Sequence, residues 1–390
     1  MFRLPSKPIK AMFEYQRSGQ YFALVAGGME DLGAEEFTEL GAKDVKLSYR
    51  GIQFEADPRT LYILNYQTRL ATRILAPLVS FNCHSTDYLY KVAKSVDWTT
   101  LFRVDQTFAV FASVANSHIT HSQYAALKVK DAIVDLFREK VGNRPNVEPV
   151  TPDVWINIHI ENNHAVLSLD TSGGSLHRRG YRTETGTSPM METLAAAIIR
   201  LTEWQGEKPL YDPMCGSGTL LCEALMSYCR IPAGYLRKNF GFMFMPDFDK
   251  TVWEAVREEA YHNFRQLPEG LIAGSDVSGR ATKIAIENVN HISSGNRVTI
   301  KMLNFMKIDN LENRVIVCNP PYGIREGNPE EIAKLYTYLG DYLKQKCKGS
   351  TAYIYVGDKE LLKFIGLKPK WKKPLVNGAL DGRLAKYEMY

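Results

Sequence analysis

Beyond residue 189 the chain repeats one pattern, a short apolar run followed by a loop and then a helical stretch. The runs are "PLYDPM", "GLIAGSD", "RVTIKML", "RVIVCNPP" and "TAYIYVG". Strands spaced by helices in this way predict an α/β fold with a doubly wound, mostly parallel sheet. In such sheets ligands bind beyond the carboxyl ends of the strands, where the strand order reverses. The loops directly after those runs are therefore the places to look for chemistry.

The region before it reads differently. "YFALVAGG" from Tyr21 reads as a strand ending in a glycine turn, and "MEDLGAEEFTELG" as a helix with Leu32, Phe37 and Leu40 on one side, stopped by Gly41. "KLSYR" and "IQFEA", parted by Gly51, read as a strand pair, and "PRTLYILNYQTRLATRI" as a helix opened by Pro58. This predicts a small α+β unit over roughly residues 20 to 83. A second unit begins near Ser85, with a helix in "DYLYKVAKSVDW", a strand in "TFAVFASV" and a long helix in "QYAALKVKDAIVDLFREKVG" whose Leu127, Ile133, Leu136 and Phe137 share a side. "VWINIHI" and "HAVLSLD" flank "ENN" as a hairpin, and "TSGGSLHRRGYRTETGTSP" reads as the connection to the third unit.

A length of 390 residues calls for two or three domains. Hydrophobic content of 45% with 23% charged residues fits a soluble globular protein, and no apolar run reaches the ~18 residues of a membrane span. "MFRLPSKPIKAMFEYQ" lacks the apolar region and cleavage site of a secretion signal, so the cytoplasm is the expected compartment. The six cysteines form no CxxC pair, and Cys215, Cys222 and Cys229, with no histidine nearby to complete a tetrahedral set, point to packing and not to metal. The net charge of +5 is mild, but "KFIGLKPKWKK" (363–373) and "HRRGYR" (177–182) concentrate cations. Arg178, Arg179, Arg182, Lys370, Lys372 and Lys373 are candidates to follow a phosphate backbone, the alternative being a solvated basic face.

Four strand-end loops carry the candidate site. "DPMCGSGT", 212–219, places Gly216 and Gly218 where a tight turn lets a ligand reach a helix N-terminus, and Asp212 closes the strand before it. Asp276, at the end of "GSD", is placed either to accept from ribose hydroxyls or to cap the next helix. Asn304 and Phe305 could present an amide and a ring to an adenine. In "NPPYG" (319–323) the Asn319 side chain and the Pro320 carbonyl offer two acceptors, and neither Pro320 nor Pro321 adds a competing N–H. Two acceptors converging on one planar base amine would draw its nitrogen toward a nucleophilic geometry. Tyr322 could stack on a base taken out of its helix and Gly323 would leave it room; the alternative is a rigid turn.

Taken together, these motifs resemble those of the class I S-adenosylmethionine-dependent methyltransferases, and "NPPYG" resembles the [DNS]PP[YFW] motif of those that methylate exocyclic amines. Within the class, "TGTSPMMETLAAAIIRL", "DPMCGSGT", "GSD" and "NPPYG" are similar to the THUMP-domain RNA methyltransferases that form N2-methylguanosine, above all to the N-terminal half of those acting on bacterial large-subunit ribosomal RNA. The resemblance implies a ferredoxin-like domain over 1–83, a THUMP RNA-binding domain over 84–172, a connection over 173–188 and a Rossmann-like catalytic domain with a seven-stranded sheet over 189–390. It further implies S-adenosylmethionine as cofactor. Asp212, Pro213, Cys215, Gly216, Gly218 and Thr219 would line its methionine end, Asp276 its ribose, Asn304 its adenine, and Ser188 and Pro189 the vicinity of its carboxylate. Asn319, Pro320, Pro321 and Tyr322 would hold the target base. In the family an acid more often stands where this chain has Asn304.

The reading that follows is an enzyme forming N2-methylguanosine in RNA, with 23S rRNA as the expected substrate and no metal or membrane involved. Transfer RNA as substrate, adenine N6 in RNA or DNA as acceptor, a protein glutamine as acceptor, and a non-catalytic RNA-binding or assembly factor are the alternatives.

Overall fold

The computed structural model describes residues 12–182, 190–322, 328–378 and 380–390. Its N-terminal part runs α1 (Glu14–Ser18), β1 (Gln20–Val25), α2 (Glu30–Glu39), β2 (Lys43–Ser48), β3 (Gly51–Glu55), α3 (Pro58–Gln67) and β4 (Ala71–Asn82). It continues with α4 (Thr86–Ser95), β5 (Phe108–Ala115), α5 (Ser122–Val141), β6 (Val154–Glu161) and β7 (His164–Asp170). The strands of both small units join in one seven-stranded sheet of order β2-β3-β1-β4-β7-β6-β5. β4, 12 residues long, is the reason: it pairs with β1 near its start and with β7 along the rest. In β6, Ile156, Ile158 and Ile160 are fully buried while Trp155, His159 and Glu161 are not, the period-two pattern of a sheet with helices on one face.

Local chemistry explains several of these elements. Asp57 caps α3 by accepting from the Thr60 N–H at 2.7 Å, with Pro58 in the first turn. Asn162 and Asn163, at φ 50° and 60°, make the two-residue turn between β6 and β7. α3 is shorter than expected: it ends at Gln67, and "ATRI" belongs to β4. The stop is tertiary. The buried Glu36 carboxylate of α2 accepts from the Thr68 hydroxyl at 2.6 Å and from the Arg69 and Leu70 N–H groups at 2.8 and 3.2 Å, which turns the chain out of the helix. Leu127 is also misplaced by the sequence pattern, since it is 47% exposed; the buried stripe of α5 runs through Ala125, Val129, Ala132, Ile133, Leu136 and Phe137.

The C-terminal part runs α6 (Glu192–Thr202), β8 (Leu210–Asp212), α7 (Thr219–Tyr228), α8 (Lys250–His262), β9 (Ile272–Asp276), α9 (Gly279–Asn290) and β10 (Thr299–Met302). β11 (Val315–Cys318), α10 (Pro329–Lys346), β12 (Thr351–Val356), β13 (Trp371–Asn377) and β14 (Leu380–Glu388) complete it. Its seven-stranded sheet has the order β10-β9-β8-β11-β12-β14-β13, with every pair from β10 to β12 parallel and β14 antiparallel to both its neighbours. The lysine-rich stretch read as a basic patch thus includes an edge strand, and Lys372, Lys373 and Pro374 are the kinds of residue that keep such an edge from pairing with another chain.

A segment between α7 and β9 leaves the C-terminal sheet to pack on the N-terminal part. Phe240, Phe242 and Trp253 join the core around Tyr62 and Tyr66, with the Tyr62 and Phe242 rings 4.5 Å apart and the Tyr66 and Trp253 rings 5.2 Å apart. Gly241 lies so close that a Cβ there would stand 2.0 Å from the Asp170 carbonyl oxygen.

Candidate active site

β9, β8 and β11 lie side by side and point the same way, and the order reverses between β8 and β11 because β11 follows β10 in the chain yet sits on the far side of β8. Asp276, Asp212 and Asn319 therefore form a row along the carboxyl edge, spaced by about 5 Å per strand. This is the switch point at which a doubly wound sheet opens a crevice.

Asp212 is buried, 1% exposed, and its Oδ1 accepts from the Met214 N–H at 3.1 Å. Burial, and then the neighbouring Asp276 carboxylate, push its carboxyl well above the usual range, with only the Met214 N–H acting the other way. Asp276 ties two loops together: Oδ2 accepts from the Gly216 N–H and Oδ1 from the Ser278 N–H, both at 2.9 Å. The helix-capping alternative for Asp276 falls to Ser278, whose hydroxyl accepts from the Ala281 N–H. Gly216 has φ 53° and a Cβ there would meet nothing within 4 Å, so the loop presents bare backbone to open space. Gly218, at φ 79°, starts α7 hard against α9, where a Cβ would be 3.0 Å from that of Ala285. The Cys215 N–H donates to the Ser275 carbonyl at 2.9 Å, and the Pro213 carbonyl accepts from the Ser275 hydroxyl at 3.4 Å. Burial first, then Asp212 and Asp276, push the Cys215 and Cys318 thiols well above their ordinary values, which disfavours the thiolate of each.

On the other side of the switch, Asn319 follows β11. Its Oδ1 is buried and has no hydrogen-bond partner among the described residues. Pro320 is buried beside it, Pro321 is partly so, and the Tyr322 ring covers Gly357 after β12, 2.8 Å from where a Cβ would stand there. Asn304 caps a short turn, its Oδ1 accepting from the Met306 N–H at 3.0 Å, so the oxygen expected to meet an adenine amine already has one donor. Ser188, Pro189 and Gly323 lie outside the described residues.

The basic candidates divide. Arg178 and the lysines 370, 372 and 373 are exposed. Arg179 is 1% exposed and cannot reach a phosphate; its guanidinium pairs with buried Glu223 of α7 at 3.3 Å and donates to the Leu176 carbonyl at 2.7 Å. Arg182 is likewise turned inward, toward Glu192, Met190 and Thr219. A run of arginines beside a tyrosine reads as a surface patch until acids from distant helices are brought to it.

Three side chains escaped the sequence reading. Asn288 of α9 donates to the Ser217 carbonyl at 2.9 Å and steadies the glycine loop. Val277 and Met306, 68% and 50% exposed, directly follow the Asp276 and Asn304 loops, and a large apolar residue left in solvent beside a strand-end polar group was the available signal.

A glycine loop after the first strand, an acid after the second and an uncompleted amide after the fourth, around this strand order, define a class I methyltransferase fold. The family model for the RMKL-like methyltransferase domain matches residues 179–386, that for the THUMP domain 83–170, and that for the RlmL ferredoxin-like domain 20–75. The chain belongs to this family of RMKL-like methyltransferases. It is 40% identical to slr0064 of Synechocystis sp., provisionally named an RNA methyltransferase, over 95% of this chain and 97% of that one. It is 38% identical to the ribosomal RNA large subunit methyltransferase K/L of Photobacterium profundum over 94% of this chain, and spans only 52% of that longer protein. The crystal structure of SMU.472, provisionally named a methyltransferase and complexed with SAH, superposes with a TM-score of 0.84 at 28% identity, covering 96% of this chain and 98% of that one.

Proposed function

We propose that this chain transfers a methyl group from S-adenosylmethionine to the exocyclic N2 of a guanine in RNA, with 23S ribosomal RNA as the substrate. The observation that carries this reading is the buried Oδ1 of Asn319, which has no hydrogen-bond partner among the described residues. An acceptor left so costs on the order of 1–3 kcal/mol, and the N–H of a base amine is a donor that would complete it. The Pro320 carbonyl offers the second acceptor, and the partly exposed Tyr322 ring a face for a base removed from its stack.

The residues present fit the cofactor. Asp212 is a buried carboxylate that accepts from the Met214 N–H, and the positive end of a ligand beside it would offset the burial that disfavours its charged form. Each Asp276 oxygen keeps a lone pair for a ribose hydroxyl. Asn304, Val277 and Met306 would bracket the adenine. When bound, the cofactor supplies an electrophilic methyl group. Asn319 and Pro320 then accept from the amine hydrogens so that the nitrogen pyramidalises and its lone pair leaves conjugation with the ring, and Tyr322 keeps the base oriented. The THUMP domain and the names of the relatives support RNA as the partner, gripped by the N-terminal sheet with Arg178 and the lysines 370, 372 and 373 as exposed cations. Among the described residues no helix is long and apolar enough to cross a membrane; with ribosomal RNA as substrate the site of action would be the cytoplasm.

The test is to incubate the protein with unmodified ribosomal RNA and methyl-deuterated cofactor and to identify labelled nucleosides by mass spectrometry. Labelled N2-methylguanosine from 23S rRNA is expected. Labelled N6-methyladenosine would overturn the acceptor, label only in transfer RNA would overturn the substrate, and absence of label from both RNAs would overturn the activity.

A further inference from the structure

The structure assigns Arg182 a positioning role at the cofactor site, an inference that rests on the cofactor reading above. Its Nε donates to Glu192 Oε1, and its Nη2 to the Met190 carbonyl and to the Thr219 hydroxyl, each at 3.1 Å. The three acceptors sit at the start of α6 and on the first residue of α7, so one guanidinium holds both helix starts together. With its side chain only 12% exposed, Arg182 works from behind the site.

The consequence lies in the Thr219 hydroxyl. The Thr219 oxygen accepts from the guanidinium at 3.1 Å, so its own hydrogen points away from Arg182; the Ser217 hydroxyl is a longer contact at 3.5 Å, and a stronger acceptor at the turn would take that hydrogen. That donor stands on the first turn of α7, whose leading N–H groups lack intrahelical acceptors and whose dipole favours an anion. Hydroxyl, amides and dipole then share one polarity. We propose that Arg182, acting through Thr219, sets this turn to hold the carboxylate of the cofactor's amino-acid end, and so supplies the preference for a carboxylated ligand without touching it.

The experiment compares calorimetric affinities for S-adenosylhomocysteine and for its decarboxylated analogue, which keeps adenosine, sulfur and amine. Wild-type protein is expected to prefer the carboxylated ligand by on the order of tenfold. Arg182→Met combined with Glu192→Gln leaves no lone buried charge, and it and Thr219→Val should each bring that ratio to about two or less, while Thr219→Ser should keep it. A ratio unchanged in both variants, equal weakening of both ligands, or a wild-type protein that does not discriminate would overturn the proposal. A folded wild-type protein that binds neither ligand would instead remove the cofactor reading on which it stands.

Discussion

Asn319, whose buried Oδ1 has no partner among the described residues, and buried Asp212 stand at the centre of the candidate site. Asn319→Ala removes the acceptor proposed to hold the base amine, and is expected to lower methyl transfer on the order of 100- to 1,000-fold while S-adenosylhomocysteine affinity stays within about twofold. Parallel loss of both would refute its assignment to the base. For Asp212 the folded-state value lies above the unfolded one, so its contribution to stability is complete below the ordinary carboxylate range and is lost as pH rises toward the folded value. Asp212→Asn should therefore melt at or above wild type near pH 8, with the difference shrinking toward pH 4, yet lose the rise in melting temperature that S-adenosylhomocysteine produces. A lower melting temperature than wild type at pH 8 would count against the argument. Residue identity alone exposed these two positions, because an acid or amide at the end of an apolar run followed by Gly or Pro is readable from one sequence. It misplaced Arg179 and Arg182, whose acids, Glu223 and Glu192, lie 44 and 10 residues away.

At the scale of elements, boundaries set by local chemistry were readable and those set by distant contacts were not. The Asp57–Pro58 start of α3 and the Asn162–Asn163 turn follow from residue type. The end of α3 follows from Glu36 on another helix, which takes three donors from residues 68 to 70. Glu36→Ala would strand those donors in a buried place and is expected to cost about 2–4 kcal/mol in urea unfolding. A loss under about 1 kcal/mol would show that the helix stops for another reason. β13 escaped recognition because its exposed lysines mask the strand alternation, and its partner β14 supplies the pairing.

At the scale of the whole molecule, the N-terminal and C-terminal sheets are joined by the aromatic segment around Phe240, Phe242 and Trp253. Gly241→Ala puts a methyl group into the Asp170 carbonyl, a backbone atom that cannot swing aside. Calorimetry should then show two unfolding transitions in place of one, with S-adenosylhomocysteine binding retained; a single transition at the wild-type temperature would show that the contact does not couple the halves. The sequence by itself determined the alternation of strands and helices, the order of the strand-end loops and the chemistry each can offer, because periodicity and turn preferences act over a few residues. Only the tertiary structure decided which arginines are exposed and which are buried against acids, where α3 ends, and that two small units share one sheet. Those outcomes depend on the burial of long polar side chains and on strand pairing, whose energies come from partners far along the chain.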